Sequence, residues 1–329
     1  MKARGIKNNN LLSILFWVVL LLPVITSGQS LEKFRMIWEV RYDNISFGDK
    51  QNRIQASLRI PFEINLFEDY YLIGLTSTGS NFTSRWENVK DFRVSGENRR
   101  FNLNLRQLYL QKEWENSRLQ FGSIPTVKGS VSSTGLGSNG WIDGGRFQFN
   151  ISSAIVEFVG GSLTDLNTPN FLDRNFILNY FETEISKKFG ENMLAEISYE
   201  RLGKDDYLRG EYRVDIYPTD KNYFQLTLES FIHLNNSSTS YGITFESDLL
   251  KWFDENLEEY AELKIYFNHT DEKIGTRGFL TDDFYRFGNT LTIEMAGKIT
   301  DDKKIRWFSE NYISKDPRFL AGLRIDLEK

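Results

Sequence analysis

The sequence contains no cysteine, which excludes a disulfide, a thiolate-bound metal and a lipid-anchor cysteine. Histidine occurs only at His233 and His269, too few for a His-rich metal centre, and no cofactor is expected. Apolar runs long enough to cross a bilayer as helices are missing too, and the mean hydropathy of −0.42 rules out a bundle of membrane helices. Basic charge does not dominate: 40 Lys and Arg face 45 Asp and Glu, a net charge of −5, so nucleic acid is not an expected partner. What is present is apolar surface. Hydrophobic residues make up 40% of 329, including 26 Phe, 15 Tyr and 7 Trp, enough to fill one large core or to cover one large apolar exterior.

The longest mainly apolar stretch is Leu11–Leu22, with Ser13 its one polar residue, preceded by Lys2, Arg4 and Lys7 and followed by Pro23 and Thr26-Ser27-Gly28. It is shorter than the ~20 residues a helical span needs and has the order of a cleavable secretory signal, assigned to residues 1–28. Residues 29–329 show no linker and no long internal repeat, and are expected to form one domain.

From residue 31 onward apolar residues recur at every second position, which is the period of a strand. Phe34, Met36, Trp38, Val40 and Tyr42 alternate with Lys33, Arg35, Glu39 and Arg41, and Ile54 to Leu66 alternate with Arg53, Gln55, Ser57, Arg59, Glu63 and Asn65. Leu208 to Ile216 and Ala261 to Phe267 repeat the pattern. Sixteen such runs are expected, centred near residues 38, 59, 74, 106, 121, 148, 158, 181, 197, 211, 228, 243, 263, 293, 307 and 323. In the fourth, Phe101, Leu103 and Leu105 give way to Leu108 and Leu110, so a bulge is expected at Arg106 or Gln107.

Connection lengths alternate. Short links at Phe67-Glu68-Asp69, Glu115-Asn116-Ser117, Ser152-Ser153 and Gly190-Glu191-Asn192 are separated by long ones at Thr83–Glu97, Thr126–Gly145 and Thr164–Asn175. Leu202–Asp206 is shorter than this scheme asks for and Leu249–Leu257 longer. Tight turns at one end and long loops at the other predict an all-β, up-and-down antiparallel transmembrane β-barrel of about 16 strands, with 14 the rival even count. Strands with one apolar and one polar face must bury the apolar face against a second sheet or against lipid. Aromatics at the run ends (Phe34, Trp38, Tyr42, Tyr70, Tyr71, Tyr109, Trp114, Tyr212 and Trp307) favour lipid, because aromatic girdles sit at the two membrane interfaces.

The stretches Arg106-Gln107-Leu108-Tyr109-Leu110-Gln111, Leu119-Gln120-Phe121-Gly122-Ser123 and Asp143-Gly144-Gly145-Arg146-Phe147, with the signal segment and the alternating runs, resemble Gram-negative outer-membrane porin-type barrels. The last run, Gly322-Leu323-Arg324-Ile325-Asp326-Leu327, is similar to the C-terminal assembly signal of such proteins, although this chain ends in Glu328-Lys329 and not in an aromatic. The resemblance implies a cell outer-membrane location, contact with outer-membrane lipid and the barrel-insertion machinery, a possible homo-oligomer, and passive diffusion of small hydrophilic solutes or ions. It also implies that Thr126–Gly145 folds inward as a constriction, with Lys128, Trp141 and Asp143 at its rim.

Turning the polar phase inward gives the early strands Arg35, Arg41, Arg53, Arg59, Arg106 and Arg146, and the later ones Glu211, Asp215, Glu229, Glu262 and Glu294, with Glu196 and Glu200. Opposite charges on opposite walls would set a transverse field that sorts polar solutes, with anions slightly preferred. Glu39 and Glu63 interrupt the basic wall, and Arg209, Arg213, Lys264 and Lys298 the acidic one. Mutual pairing of these charges in a closed lumen is the competing expectation. It would make the barrel a scaffold, adhesin or export-complex component acting through its loops. No enzyme is expected: His233 with Asn235, Asn236, Ser237 and Ser238 invites comparison with barrel lipases, but no Gly-x-Ser-x-Gly elbow is present.

Overall fold

The computed structural model of the chain describes residues 30–44, 52–91, 101–126, 136, 139–217, 224–280, 287–302 and 304–328. The expected signal segment 1–28 and Lys128 lie outside the described residues.

Each alternating run forms a strand. The first quarter of the chain gives β1 (Ser30–Asp43), β2 (Arg53–Phe67), β3 (Tyr70–Ser77) and a short β4 (Glu87–Asp91). Next come β5 (Asn104–Trp114), β6 (Ser117–Pro125), β7 (Trp141–Ile151), β8 (Ala154–Ser162) and β9 (Tyr180–Phe189). The second half supplies β10 (Met193–Leu202), β11 (Asp205–Ile216), β12 (Phe224–His233), β13 (Ser238–Asp248) and β14 (Glu262–Thr270). The last three are β15 (Gly288–Lys298), β16 (Ile305–Ile313) and β17 (Arg318–Glu328).

All neighbours pair antiparallel, and β17 returns to β1 with Arg35 opposite Glu328 and Asp43 opposite Leu320. The sheet is therefore a closed ring, which removes the open edge that an extended sheet would expose. The ring has sixteen positions although seventeen segments exist. β2 pairs with β3 from Arg59 to Phe67 and with β4 from Arg53 to Ala56, so β3 and β4 share one position, interrupted by the segment 78–86. That interruption is not visible in the alternation. Side chains reinforce the seam: Arg318 donates to both carboxylate oxygens of Asp43 at 2.9 and 2.6 Å, and Arg35 pairs with Asp326.

Alternation sends the apolar phase out. Trp38, Leu110, Phe121, Ile197, Ile243 and Ile325 are all exposed, Phe121 at 71%. An apolar belt this extensive is far larger than the patches that water-facing monomers carry. Among the run-end aromatics Trp38, Tyr42, Trp114 and Tyr212 belong to it. Tyr109 does not; it is buried and faces inward. The cause is the bulge: Leu75 pairs with Gln107 and Thr76 with Leu105, leaving Arg106 as the extra residue. Arg106 and Gln107 then both point in, and Tyr109 and Gln111 follow the new phase. A second flip occurs at Gly122 in β6, whose φ of +132° only glycine adopts freely, and an added Cβ would stand 2.5 Å from the Leu108 carbonyl.

Candidate functional site

The inward face is polar along most strands, and the sites expected to line it are distributed as follows. Arg41, Arg106, Arg146, Glu211 and Glu229 are buried inside the ring. Arg35, Glu262 and Glu294 border an internal cavity. Arg53 donates to Asn88 Oδ1 at 3.4 Å, and Asp215 accepts from Gln225 at 2.7 Å. Arg59 lies 3.7 Å from Glu39, which also takes the Arg85 guanidinium at 2.7 Å and the Ser57 hydroxyl at 3.2 Å.

Local pairing, not segregation by sign, organises these charges. On the wall from β9 to β12 a fully buried Arg209 is surrounded by Glu184 at 2.7 Å, Glu229 at 3.3 Å, Glu211 at 3.7 Å and Glu196. Arg146 reaches Glu157 at 3.2 Å and Gln120 at 3.1 Å. The two opposed walls expected from strand counts thus each contain the other sign.

Besides the described part of the connection between β6 and β7, three connections at the long-loop end pass into the ring. After β3, the segment 78–86 buries Phe82, whose ring meets Trp141 edge to face at 5.0 Å. Arg106 anchors this segment by donating to the carbonyls of Ser84 at 2.8 Å and Asn81 at 2.5 Å, and it also donates to the Asn139 carbonyl at 2.9 Å. The last contact, with Gln107 donating to the Gly140 carbonyl at 2.6 Å and Leu136 buried, brings the described part of the connection between β6 and β7 inside. Trp141 and Asp143 stand at its end, as the first and third residues of β7.

The second inward connection joins β8 to β9. Its Arg174 donates to the Arg106 carbonyl and to Ser123 Oγ, both at 2.8 Å, lies 3.2 Å from Asp143, and covers the Trp141 ring at 4.3 Å. The third joins β14 to β15. Asp271 accepts from the Thr239 backbone N–H at 2.8 Å and from His269, which hold its carboxyl below the ordinary carboxylate range and fix the start of the turn on β13. Beyond it Arg277 is fully buried, donating to both oxygens of Glu200 at 2.7 and 3.1 Å and lying 4.8 Å over Phe231. Loop residues Phe82, Leu163, Ile274 and Leu280 pack with the inward-facing Tyr180, Tyr207 and Phe231 into one apolar cluster. Sequence periodicity carried no sign of Arg174, Arg277 or Phe82, because loop residues have no phase; only their size and apolar or charged character stood out.

A cavity of about 800 Å³ remains against β1 and β14 to β17. It reaches the tight-turn end, where Asp302 and Lys304 border it, and Arg85 and Trp86 of the first inward segment close its other side.

The histidines do not form a nucleophile and base pair. Ser238 Oγ lies 2.6 Å from Asn236 Oδ1 and 2.9 Å from the Lys273 carbonyl, while His233 Nε2 faces Asp205 at 3.5 Å. His269 is held by Asn289 and Asp271.

No family model and no curated protein matches the chain. Solved structures do. The chain is similar to OccAB3 of Acinetobacter baumannii, with a TM-score of 0.61 at 8% identity, over 92% of this chain and 100% of that one. OpdK of Pseudomonas aeruginosa, solved with vanillate, gives 0.57 at 9% identity over 92% and 99%. OprB of Pseudomonas putida, in a low-pH structure, gives 0.55 at 11% identity over 95% and 96%. At such identities the likeness is one of fold, a closed antiparallel β-barrel.

Proposed function

We propose that this chain is an outer-membrane channel through which small hydrophilic solutes or ions diffuse passively. One observation carries the reading: a closed ring with an apolar exterior holds, inside, a cavity of about 800 Å³ bordered by charged side chains and reaching the turn residues Asp302 and Lys304. A ring of about eight strands is filled by its own side chains, whereas sixteen leave room for a water-filled path. The fold neighbours include a barrel solved with vanillate, a small carboxylate-bearing solute, in that protein. On this reading residues 1–28 are a secretory signal, the chain meets lipid through its outer belt, and Gly322 to Leu327 address it to the barrel-insertion machinery. A homo-oligomer is compatible with it, and no enzymatic step is assigned. Of the expected lumen groups, Arg35, Arg41, Glu262 and Glu294 border the cavity and are those through which selectivity would act, whereas Arg53, Arg59, Arg106, Arg146, Glu211, Asp215 and Glu229 do not border it; Trp141 and Asp143 border the narrowed end, with Lys128 in the same loop.

A second reading has its own support. The apolar cluster at the long-loop end and the Arg277–Glu200 clamp suit a non-conducting barrel whose loops are the working surface. Single-channel recording in a planar bilayer containing the refolded chain separates the two. Discrete ohmic steps are expected of the channel. Silence from barrels shown to be folded overturns it and leaves the scaffold, adhesin or export-complex role.

A further inference from the structure

The charged groups around the cavity pair unevenly. Every basic group on its wall has an acid: Arg85 has Glu39 at 2.7 Å, Arg306 has Glu262 at 2.8 Å, Lys304 has Asp302 at 3.2 Å, and Arg324 and Arg35 share Asp326. Arg41 lies 3.5 Å from Asp43 and 3.9 Å over the Trp86 ring. Glu294 and Glu310 are different. Among the described residues neither has a basic group at ion-pair distance; each accepts one hydroxyl, from Tyr266 at 3.0 Å and Tyr312 at 2.6 Å respectively. They stand directly opposite each other on β15 and β16. Lys264, the neighbour of Glu294 on the β14 side, places its ammonium 3.1 Å from Glu246.

Like charges facing across a ladder are destabilising, and a carboxylate with one donor keeps most of its acceptor sites open. Here those sites border a cavity, so the fold leaves two facing carboxyl groups for something that enters, and an ammonium seated there would favour the ionised form of both. Among these charged groups Tyr266, Trp86 and Phe308 also border the cavity, the last two rings 6.4 Å apart, with Arg41 and Arg85 over Trp86 and Lys264 over Tyr266. The rings give the space apolar surface beside the two carboxyls. No group of three or more acidic or histidine side chains converges to hold a metal among the described residues, and the space is generous for a bare ion. An alkylammonium uses all of it, with three donors for the two carboxylates and an apolar tail for the rings.

We propose that this cavity is a binding subsite for small organic cations carrying a primary ammonium, seated between Glu294 and Glu310. The subsite rests on the channel reading only for the route by which the solute arrives. Its preference is opposite to the slight anion preference expected from the arginine-rich early strands.

The test is isothermal titration of butylammonium chloride into the refolded chain in detergent, with butanol and sodium butyrate as neutral and anionic counterparts. Saturable binding of the amine alone is expected. Each of Glu294→Gln and Glu310→Gln should weaken it about tenfold, the loss of one charge-assisted hydrogen bond, and the double variant should abolish it. Both amides keep an acceptor for the tyrosine hydroxyl, and the retained compact band of unheated barrel on electrophoresis checks folding. Absence of binding to the native chain, equal binding to the double variant, or an equal loss in the turn variant Glu115→Gln overturns the subsite. In a bilayer the amine should reversibly reduce single-channel current in the native chain only. Conductance without amine binding discards the subsite and keeps the channel; amine binding without conductance does the reverse.

Discussion

Two groups of glutamates on the inner wall are treated in opposite ways. Glu184, Glu196, Glu211 and Glu229, from four consecutive strands, converge on one buried Arg209. Glu294 and Glu310, from two adjacent strands, face each other with only a tyrosine hydroxyl apiece. In the first group the carboxylates are consumed by the fold: a guanidinium offers five donors in a rigid fork and can serve several acceptors together. In the second they are left to the cavity. Counting acids per strand makes the two groups look alike, yet only the second borders the cavity with carboxyl oxygens that a solute can reach. The same distinction applies to the arginines. Arg106 and Arg174 are spent on holding inward loops through backbone carbonyls and Asp143, so a basic residue on an inward phase is not by itself a selectivity group.

The largest expected effect comes from putting the first group into the state of the second. Arg209→Met removes the guanidinium that all four glutamates contact. Breaking a buried ion pair by deleting one partner costs about 3–5 kcal/mol, so the guanidinium midpoint of the refolded barrel, followed by tryptophan fluorescence, should fall clearly. An unchanged midpoint would mean that the glutamates there are as independent of Arg209 as Glu294 is of any cation, and the contrast would collapse.

A smaller effect is expected at the clamp between the wall and the third inward connection. Glu200→Gln keeps the shape at Arg277 but withdraws the charge, and a weakened charged hydrogen-bond partner in a buried site costs about 1–3 kcal/mol. Because Arg277 belongs to a connection and not to a strand, the loss should be local. Protease cleavage near residues 271–280 should accelerate while the barrel midpoint moves little. If the channel reading holds, single-channel conductance should rise as the connection leaves the lumen. A fall of the global midpoint as large as that of Arg209→Met would show the clamp to be part of the ring's own stability.

The sixteen strands were legible because a strand with one lipid-suited face and one polar face writes its period directly into the residues, and every expected centre falls within an observed strand of the ring. The bulge at Arg106 was legible for the same reason, since it interrupts that period. Its consequence for Tyr109 was not drawn from it, and the residue was placed in the outer girdle when the shifted phase turns it inward. What fills the lumen was not legible. Phe82, Arg174 and Arg277 reach their partners across 59, 31 and 77 positions of sequence, and such distances are set by ring closure and not by local pattern. Pairing is hidden in the same way: Glu229 stands across the ladder from Glu211 and Gly242, and Glu294 from Lys264 and Glu310, yet it is Glu229 that has a cation at ion-pair distance, the off-register Arg209.

The smallest effect is the sharpest, because its sign differs between the two groups. Glu229→Gln withdraws one of the acceptors of a buried guanidinium and should destabilise the barrel by about 1–3 kcal/mol. Glu294→Gln, the same chemical change on the same wall, removes a like-charge neighbour from Glu310 and keeps an oxygen for the Tyr266 hydroxyl. Relief of a directly opposed pair is worth about 0.2–1 kcal/mol, so this variant should unfold at slightly higher denaturant than the native chain. Measured together in low salt, where charge interactions are least screened, and at alkaline pH, where both facing carboxyls are ionised, the two substitutions should move the midpoint in opposite directions. A destabilised Glu294→Gln would mean that its carboxylate already has a cationic partner within the folded chain, and the wall facing the cavity would then be as neutralised as the wall around Arg209.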